Sequence, residues 1–214
     1  MDKLCRQSCL HNSSLYNVDR SVYNNQMQTD AIPDTLALPP HERILQTAHE
    51  LFYREGIRAT GIDRVIAEAG VTKVTFYRHF PSKNDLIREF LEYRHRLWMA
   101  WFTDALQRNG KGIKALVPAL AEWLRDENFR GCAFINSVSE LGGQLPEVAE
   151  ITRRHKQEMT SIIENLLHHS NKRKQDAQAL ALAIDGAIIR TQFERNPDDA
   201  LRALNRFVKL LPVT

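Results

Sequence analysis

The stretch Ile66-Ala67-Glu68-Ala69-Gly70-Val71-Thr72-Lys73-Val74-Thr75-Phe76-Tyr77-Arg78-His79-Phe80-Pro81-Ser82-Lys83 decides how this chain is read. Upstream of Gly70, Ile62, Val65, Ile66 and Ala69 recur at helical spacing, so a helix starts after Thr60 and Gly70 breaks it. Downstream, a very short helix follows Val71 and runs to about His79, where Pro81-Ser82 stops it. Two short helices joined by a tight turn allow the second to enter a DNA major groove while the first braces it across the backbone.

Working outward, Ile44, Leu45, Ala48, Leu51 and Phe52 predict a preceding helix that ends at Gly56. Ser82-Lys83-Asn84-Asp85 has the capping-box pattern, opening a long helix with Leu86, Ile87, Phe90, Leu91, Leu97, Trp98, Trp101, Phe102 and Ala105 buried, as far as Asn109-Gly110. Further helices are expected over 113–126, 131–140, 146–170, 172–194 and 197–211, with breaks at Gly142-Gly143 and Asn196-Pro197. No alternating strand pattern or internal repeat occurs, so the fold class is all-α. The expected organisation is a disordered tail over 1–37, a three-helix head over 38–98 with its motif at 61–80, and a larger helical bundle over 99–214 carrying the dimerisation helices. The tail is rich in Asn, Ser, Gln and Asp and ends in Pro39-Pro40. Met27 within it is a second candidate start residue.

The formal charge of +3 on 214 residues permits a nucleic-acid partner without requiring one. Three scattered cysteines, Cys5, Cys9 and Cys132, are too few for a disulfide framework and suit a reducing compartment. No apolar run is long enough to span a membrane, and no signal-peptide pattern opens the chain. These features predict a soluble, cytoplasmic protein without a membrane partner.

The candidate DNA contacts follow from side-chain chemistry. Between Val71 and Asn84 there is no acidic residue, while Lys73, Arg78, His79 and Lys83 are present. Thr60, Lys73, Tyr77, His79 and Lys83 are candidates for phosphate contacts, which fix register. Thr72, Val74, Thr75 and Arg78 are candidates near base edges, where methyl groups suit thymine and a guanidinium suits guanine or phosphate. Phe76 and Phe80 are assigned to the core.

The quoted stretch, together with Ile44-Leu45, Ala48, Leu51-Phe52 and Gly56, resembles the TetR family of bacterial regulators over roughly sixty residues. The resemblance implies a three-helix DNA-binding head, palindromic operators bound by a homodimer, and repression relieved by a small molecule. Many relatives carry Gly where this chain has Val74, so a close backbone approach to DNA there would give way to a methyl contact. Arg130-Gly131-Cys132-Ala133-Phe134-Ile135-Asn136, Arg154-His155-Lys156 and Ile184-Asp185-Gly186-Ala187 look like one branch of TetR C-terminal domains.

In the second half, the helix from Ala177 to Phe193 is apolar nearly all round, and Ala181, Ala183, Gly186 and Ala187 would admit a close partner helix. With Leu201, Leu204, Phe207, Val208 and Leu211 it predicts a four-helix interface across a twofold axis. The alternative is that both helices complete one large core. Trp98, Trp101, Phe102, Trp123, Phe134, Asn136, Glu140 and His155 are the candidate effector pocket. Asp185 is a buried hydrogen-bonded group, a dimer contact or a ligand anchor.

Enzyme motifs do not emerge. Gly56 and Gly61 have phosphate-loop spacing, but Ile62-Asp63 follow where Lys and Ser or Thr are needed. Neither a nucleophile elbow nor a metalloprotease motif occurs. Cys5, Cys9 and His11 are read as incidental, and no cofactor or metal is expected. The competing non-enzymatic reading is an interaction module that has kept the helical fold without binding DNA.

Overall fold

Every regular element among the described residues, 38–210 of the computed structural model, is helical, and these residues lie in one compact unit. The expectations for the tail, Met27, Cys5, Cys9, His11 and Leu211 fall outside the described residues.

The head begins with α1 (Pro40–Glu55), where Pro40 occupies a first-turn position whose N–H has no helical acceptor. It stops at Gly56, whose φ of 91° is a conformation that favours glycine. α2 (Ile62–Glu68) and α3 (Lys73–His79) follow, separated by a turn in which Gly70 has φ 61°. A seven-residue helix such as α3 cannot persist alone. Two anchors hold it: Phe76 and Phe80 are fully buried, worth about 1.5–3 kcal/mol each. Thr72 caps its start by accepting the Thr75 N–H at 3.1 Å, worth about 1 kcal/mol.

α4 (Lys83–Arg108) is shared by head and body, burying Leu86, Ile87 and Phe90 at one end and Trp98, Trp101 and Phe102 further along. Ser82 caps it by accepting the Asp85 N–H, and Asp85 in turn bonds the Ser82 hydroxyl at 2.6 Å. That hydroxyl, with Arg88 after it, holds the Asp85 carboxyl below the usual carboxylate range.

The body comprises α5 (Leu116–Leu124), α6 (Ala133–Leu141), α7 (Pro146–Leu166), α8 (Arg173–Glu194) and α9 (Asp198–Leu210). α7 packs on α4, α6 and α8, while α9 packs on α8 and α5. The expected helix over 113–126 is divided: Gly112–Ala115 form a 3₁₀ turn and α5 starts at Leu116. Pro118 supplies the reason, because it has no N–H and fits only the first turn of an α-helix. α7 ends at Leu166 rather than near Ser170, where Arg173 Nε takes up the Glu164 carbonyl at 2.6 Å.

Candidate nucleic-acid interface

α3 presents most of the predicted contact residues to solvent. Thr72, Lys73, Val74, Tyr77 and Arg78 are exposed, and Thr75 and His79 are half-buried. Val74 is 70 % exposed near the start of the helix, an apolar group left largely in solvent. Tyr77 is 41 % exposed, with its ring edge-on to Phe76. Lys73 lies 3.5 Å from Asp63 of α2 in a solvent-exposed pair, an attraction too weak to withhold it from phosphate. His79 meets His41 edge-on, and His41 stacks on Phe80.

Two predicted phosphate contacts are placed otherwise. Thr60 is 0 % exposed, and its hydroxyl donates to the Gly56 carbonyl at 2.8 Å, so it closes the α1–α2 loop instead of reaching out. Lys83 Nζ donates to the carbonyls of Ile57 and Thr60, each at 2.7 Å, and lies 6.0 Å from the centre of the Phe52 ring. Partial burial pushes its pKa down from the ordinary lysine value. Lys83 is therefore chiefly a loop staple. Sequence spacing gave no sign of this, because the partners are backbone carbonyls more than twenty residues away.

The loop is held from the body too. Glu140 Oε2 accepts the Arg58 N–H at 2.8 Å, and Tyr53 of α1 donates its hydroxyl to the Gly131 carbonyl at 3.0 Å while accepting the Arg130 N–H at 3.1 Å. Tyr53 is a contact that sequence reasoning missed.

The eight predicted pocket residues do not form one pocket. Trp98, Trp101, Phe102, Trp123, Phe134 and His155 are packed core. Trp98 stacks on Phe102 with centroids 4.7 Å apart, and Phe134 lies flat on His155 at 3.7 Å. Trp98, Trp123, Phe134 and His155 line a cavity of only about 10 Å³. Asn136 and Glu140 instead line an open groove of about 810 Å³ between α1 and the body. The reason is helical: residues 134 and 136 lie about 200° apart around α6.

Burial keeps two histidines of this core neutral. His155 is lowered to about 2, first by burial and then by Lys156, and His49 is lowered to about 3, by burial and then by Arg94. Asp185 pairs with Lys156 at 2.6 Å, so it is hydrogen-bonded within the protomer.

The predicted dimer face also divides. Leu201, Leu204 and Val208 are buried within the protomer, because α9 lays that stripe on α8 and α5. Phe207 remains partly exposed, while Leu182, Ile189 and Phe193 of α8 and Leu210 of α9 are exposed. Leu182, Gly186, Ile189 and Phe193 follow helical spacing along one face, and a side chain added at Gly186 would meet open space.

Among the described residues no helix is long and apolar enough to cross a membrane, and no cluster of His, Cys, Asp and Glu could hold a metal.

Comparison with known proteins bears on this arrangement. A family model described as "Bacterial regulatory proteins, tetR family" matches residues 44–90, from α1 into α4. The chain is 42 % identical over 52 residues to the uncharacterised HTH-type transcriptional regulator YerO of Bacillus subtilis, which is 24 % of this chain and 18 % of that protein. It is 23 % identical over 105 residues to an uncharacterised HTH-type regulator of Lactococcus lactis, 47 % of this chain and 54 % of the relative. The chain thus spans about half or less of these curated relatives. A solved structure reaches further: SCO4454, a TetR-family transcriptional regulator from Streptomyces coelicolor, shares 30 % identity with a TM-score of 0.73, over 86 % of this chain and 95 % of its own. A helix-turn-helix head on an all-helical body, matched by sequence in the head and by structure over nearly the whole of a solved relative, makes this chain a member of the TetR family of transcriptional regulators, which are DNA-binding proteins and not enzymes.

Proposed function

We propose that the protein is a cytoplasmic, homodimeric repressor that binds a palindromic operator through α3 and is released by a small-molecule effector. The observation that carries the reading is the outer face of α3, where Thr72, Lys73, Val74, Tyr77 and Arg78 stand exposed with no acidic residue among them. Lys73 and Tyr77 hold phosphates, while Thr72, Val74, Thr75 and Arg78 face base edges and His79 flanks the site. Residues 38–98 act as the DNA-binding domain and 99–214 as the sensing and dimerisation domain, with α4 running through the boundary. The apolar stripe of Leu182, Ile189 and Phe193 is where the second copy docks, giving the twofold pair of heads that a palindrome requires.

Release works as a population shift: the effector prefers the state in which the heads no longer match successive grooves. α6 is the connecting part, since it carries Phe134 in the core and Glu140 on the head loop. The test is fluorescence anisotropy on DNA beside the protein's own gene across salt concentrations, with wild type and a Lys73→Ala, Tyr77→Ala variant. Saturable, sequence-selective binding that weakens with salt and is lost in the variant is expected. Absence of selective binding on genome-wide fragments would overturn the reading in favour of an interaction module.

A further inference from the structure

Among the described residues, Arg94 is a buried cation without an anion. It is 7 % exposed in the middle of α4, and its partners among the described residues are the His49 ring, 3.2 Å from Nη1, and the Tyr53 ring, whose centre is 4.2 Å from the guanidinium. His49 is neutral, so neither partner carries negative charge. Buried charges are ordinarily paired with an opposite charge, because the desolvation cost is otherwise several kcal/mol.

A second observation lies beside it. Trp98 is one turn along from Arg94 and 4 % exposed, and its indole Nε1–H is buried with no hydrogen-bond partner among the described residues. Arg94 and Trp98 both line the 10 Å³ cavity, together with Cys132, Phe134, His155 and Lys156. Lys156 adds a second cation, although Asp185 already offsets it. A buried guanidinium lacking a counter-charge and an unused N–H donor around one small cavity are what an anion needs: charge and directed hydrogen bonds. The large groove between α1 and the body offers less: of its four arginines, Arg125 pairs with Asp198, Arg54 with Glu55 and Arg130 with backbone carbonyls, while Arg195 stands exposed to solvent rather than buried.

We propose that this cavity seats a single small anionic group, either the carboxylate of an organic effector or a free inorganic anion, held by Arg94 and the Trp98 N–H. The volume admits about one water-sized group, which suits a monatomic anion or one carboxylate oxygen. A larger organic body displaces Phe134 from His155, and so moves the helix that bears Glu140. That link to release rests on the regulator reading above, whereas the anion site itself does not.

The test uses the full chain without DNA. Its thermal unfolding is followed by circular dichroism while sodium benzoate, sodium acetate or sodium chloride is raised to roughly 0.1 M, with ionic strength held constant by sodium sulfate, whose doubly charged, strongly hydrated anion costs far more to desolvate than a monoanion. A saturable rise in Tm is expected in wild type. It weakens about tenfold in apparent affinity in Trp98→Phe, which keeps an aromatic ring and removes the donor, and disappears in Arg94→Gln. Should Arg94→Gln fail to fold, Trp98→Phe and Arg94→Lys decide. A response to carboxylates alone identifies an effector head group, and a response to chloride as well identifies a free ion. No saturable rise with any of the three, or a rise unchanged by the substitutions, overturns the proposal. Operator binding measured on the same wild-type protein tests the regulator reading separately.

Discussion

Glu140 and Lys83 hold the same loop from different elements: Glu140 Oε2 accepts the Arg58 N–H at 2.8 Å, and Lys83 Nζ donates to the Ile57 and Thr60 carbonyls at 2.7 Å. Glu140 belongs to the body and Lys83 to the start of α4, so the loop between α1 and α2 is fixed to both. Loss of the Glu140 bond in Glu140→Leu is expected to cost about 1 kcal/mol locally, a partly exposed charge-assisted bond being worth no more. Amide exchange at Arg58 should then quicken about fivefold, with a smaller effect in Glu140→Gln. Unchanged exchange in both would remove Glu140 as a tether.

Lys73 and Val74 are neighbours with different expected signatures. Lys73→Ala should weaken binding to all DNA sequences alike and lower the slope of log affinity against log salt by about 0.9. Val74→Ala should leave that slope unchanged and cost about 1 kcal/mol only on sites with a thymine at one position. Neither should alter Tm appreciably, since both side chains are exposed. A shift of salt slope in Val74→Ala would contradict the assignment.

The two faces of the α8–α9 pair should separate in the ultracentrifuge. Phe193→Glu, at a side chain 66 % exposed in the protomer, is expected to give folded monomers. Leu204→Ala, on the opposite and buried face of α9, should lower protomer stability by about 2–5 kcal/mol, read from denaturant unfolding. A dimer unaffected by both Phe193→Glu and Leu182→Glu would place the interface elsewhere.

Acid should destabilise the fold early. His49 and His155 have folded pKa values of about 3 and about 2, below the ordinary 6.5, so between those limits the unfolded chain binds more protons. Their contribution is fully present above about pH 6.5 and is lost as pH falls, by about 1.4 kcal/mol per pH unit for each. Denaturant midpoints between pH 7 and 5 give the measurement. A flat profile would mean that both rings charge without unfolding, and half the expected slope that one of them does.

What was legible in the sequence was what depends on neighbours in sequence. The Ser82 cap, the stop at Gly56, the Gly70 turn and the burial of Phe76 and Phe80 are all written within a few residues of where they act. Side chains facing distant backbone were not legible. Lys83 has the composition of a phosphate contact, and only the folded loop supplies the carbonyls that engage it. Aromatic residues at helical spacing are more often core than pocket, and the burial and stacking of these rings put them in the core. The same ambiguity hid the division of α9, where apolar residues were countable but the inward stripe was not.

α4 is one unbroken helix of 26 residues, and that continuity sets a mechanical ratio. At about 1.5 Å per residue, Lys83 lies about 22 Å from Trp98 along the axis, while Arg94 lies only about 6 Å from it. A rotation of about 5° pivoting at Trp98 therefore displaces Arg94 by about 0.5 Å and the head end by about 2 Å. In a twofold pair the two displacements oppose, changing the spacing between heads by up to about 4 Å against the roughly 34 Å that separates successive major grooves. On the proposed release mechanism the helix would act as a lever with a fourfold gain, so that half an ångström of movement in the core would be enough to put the heads out of step with the duplex.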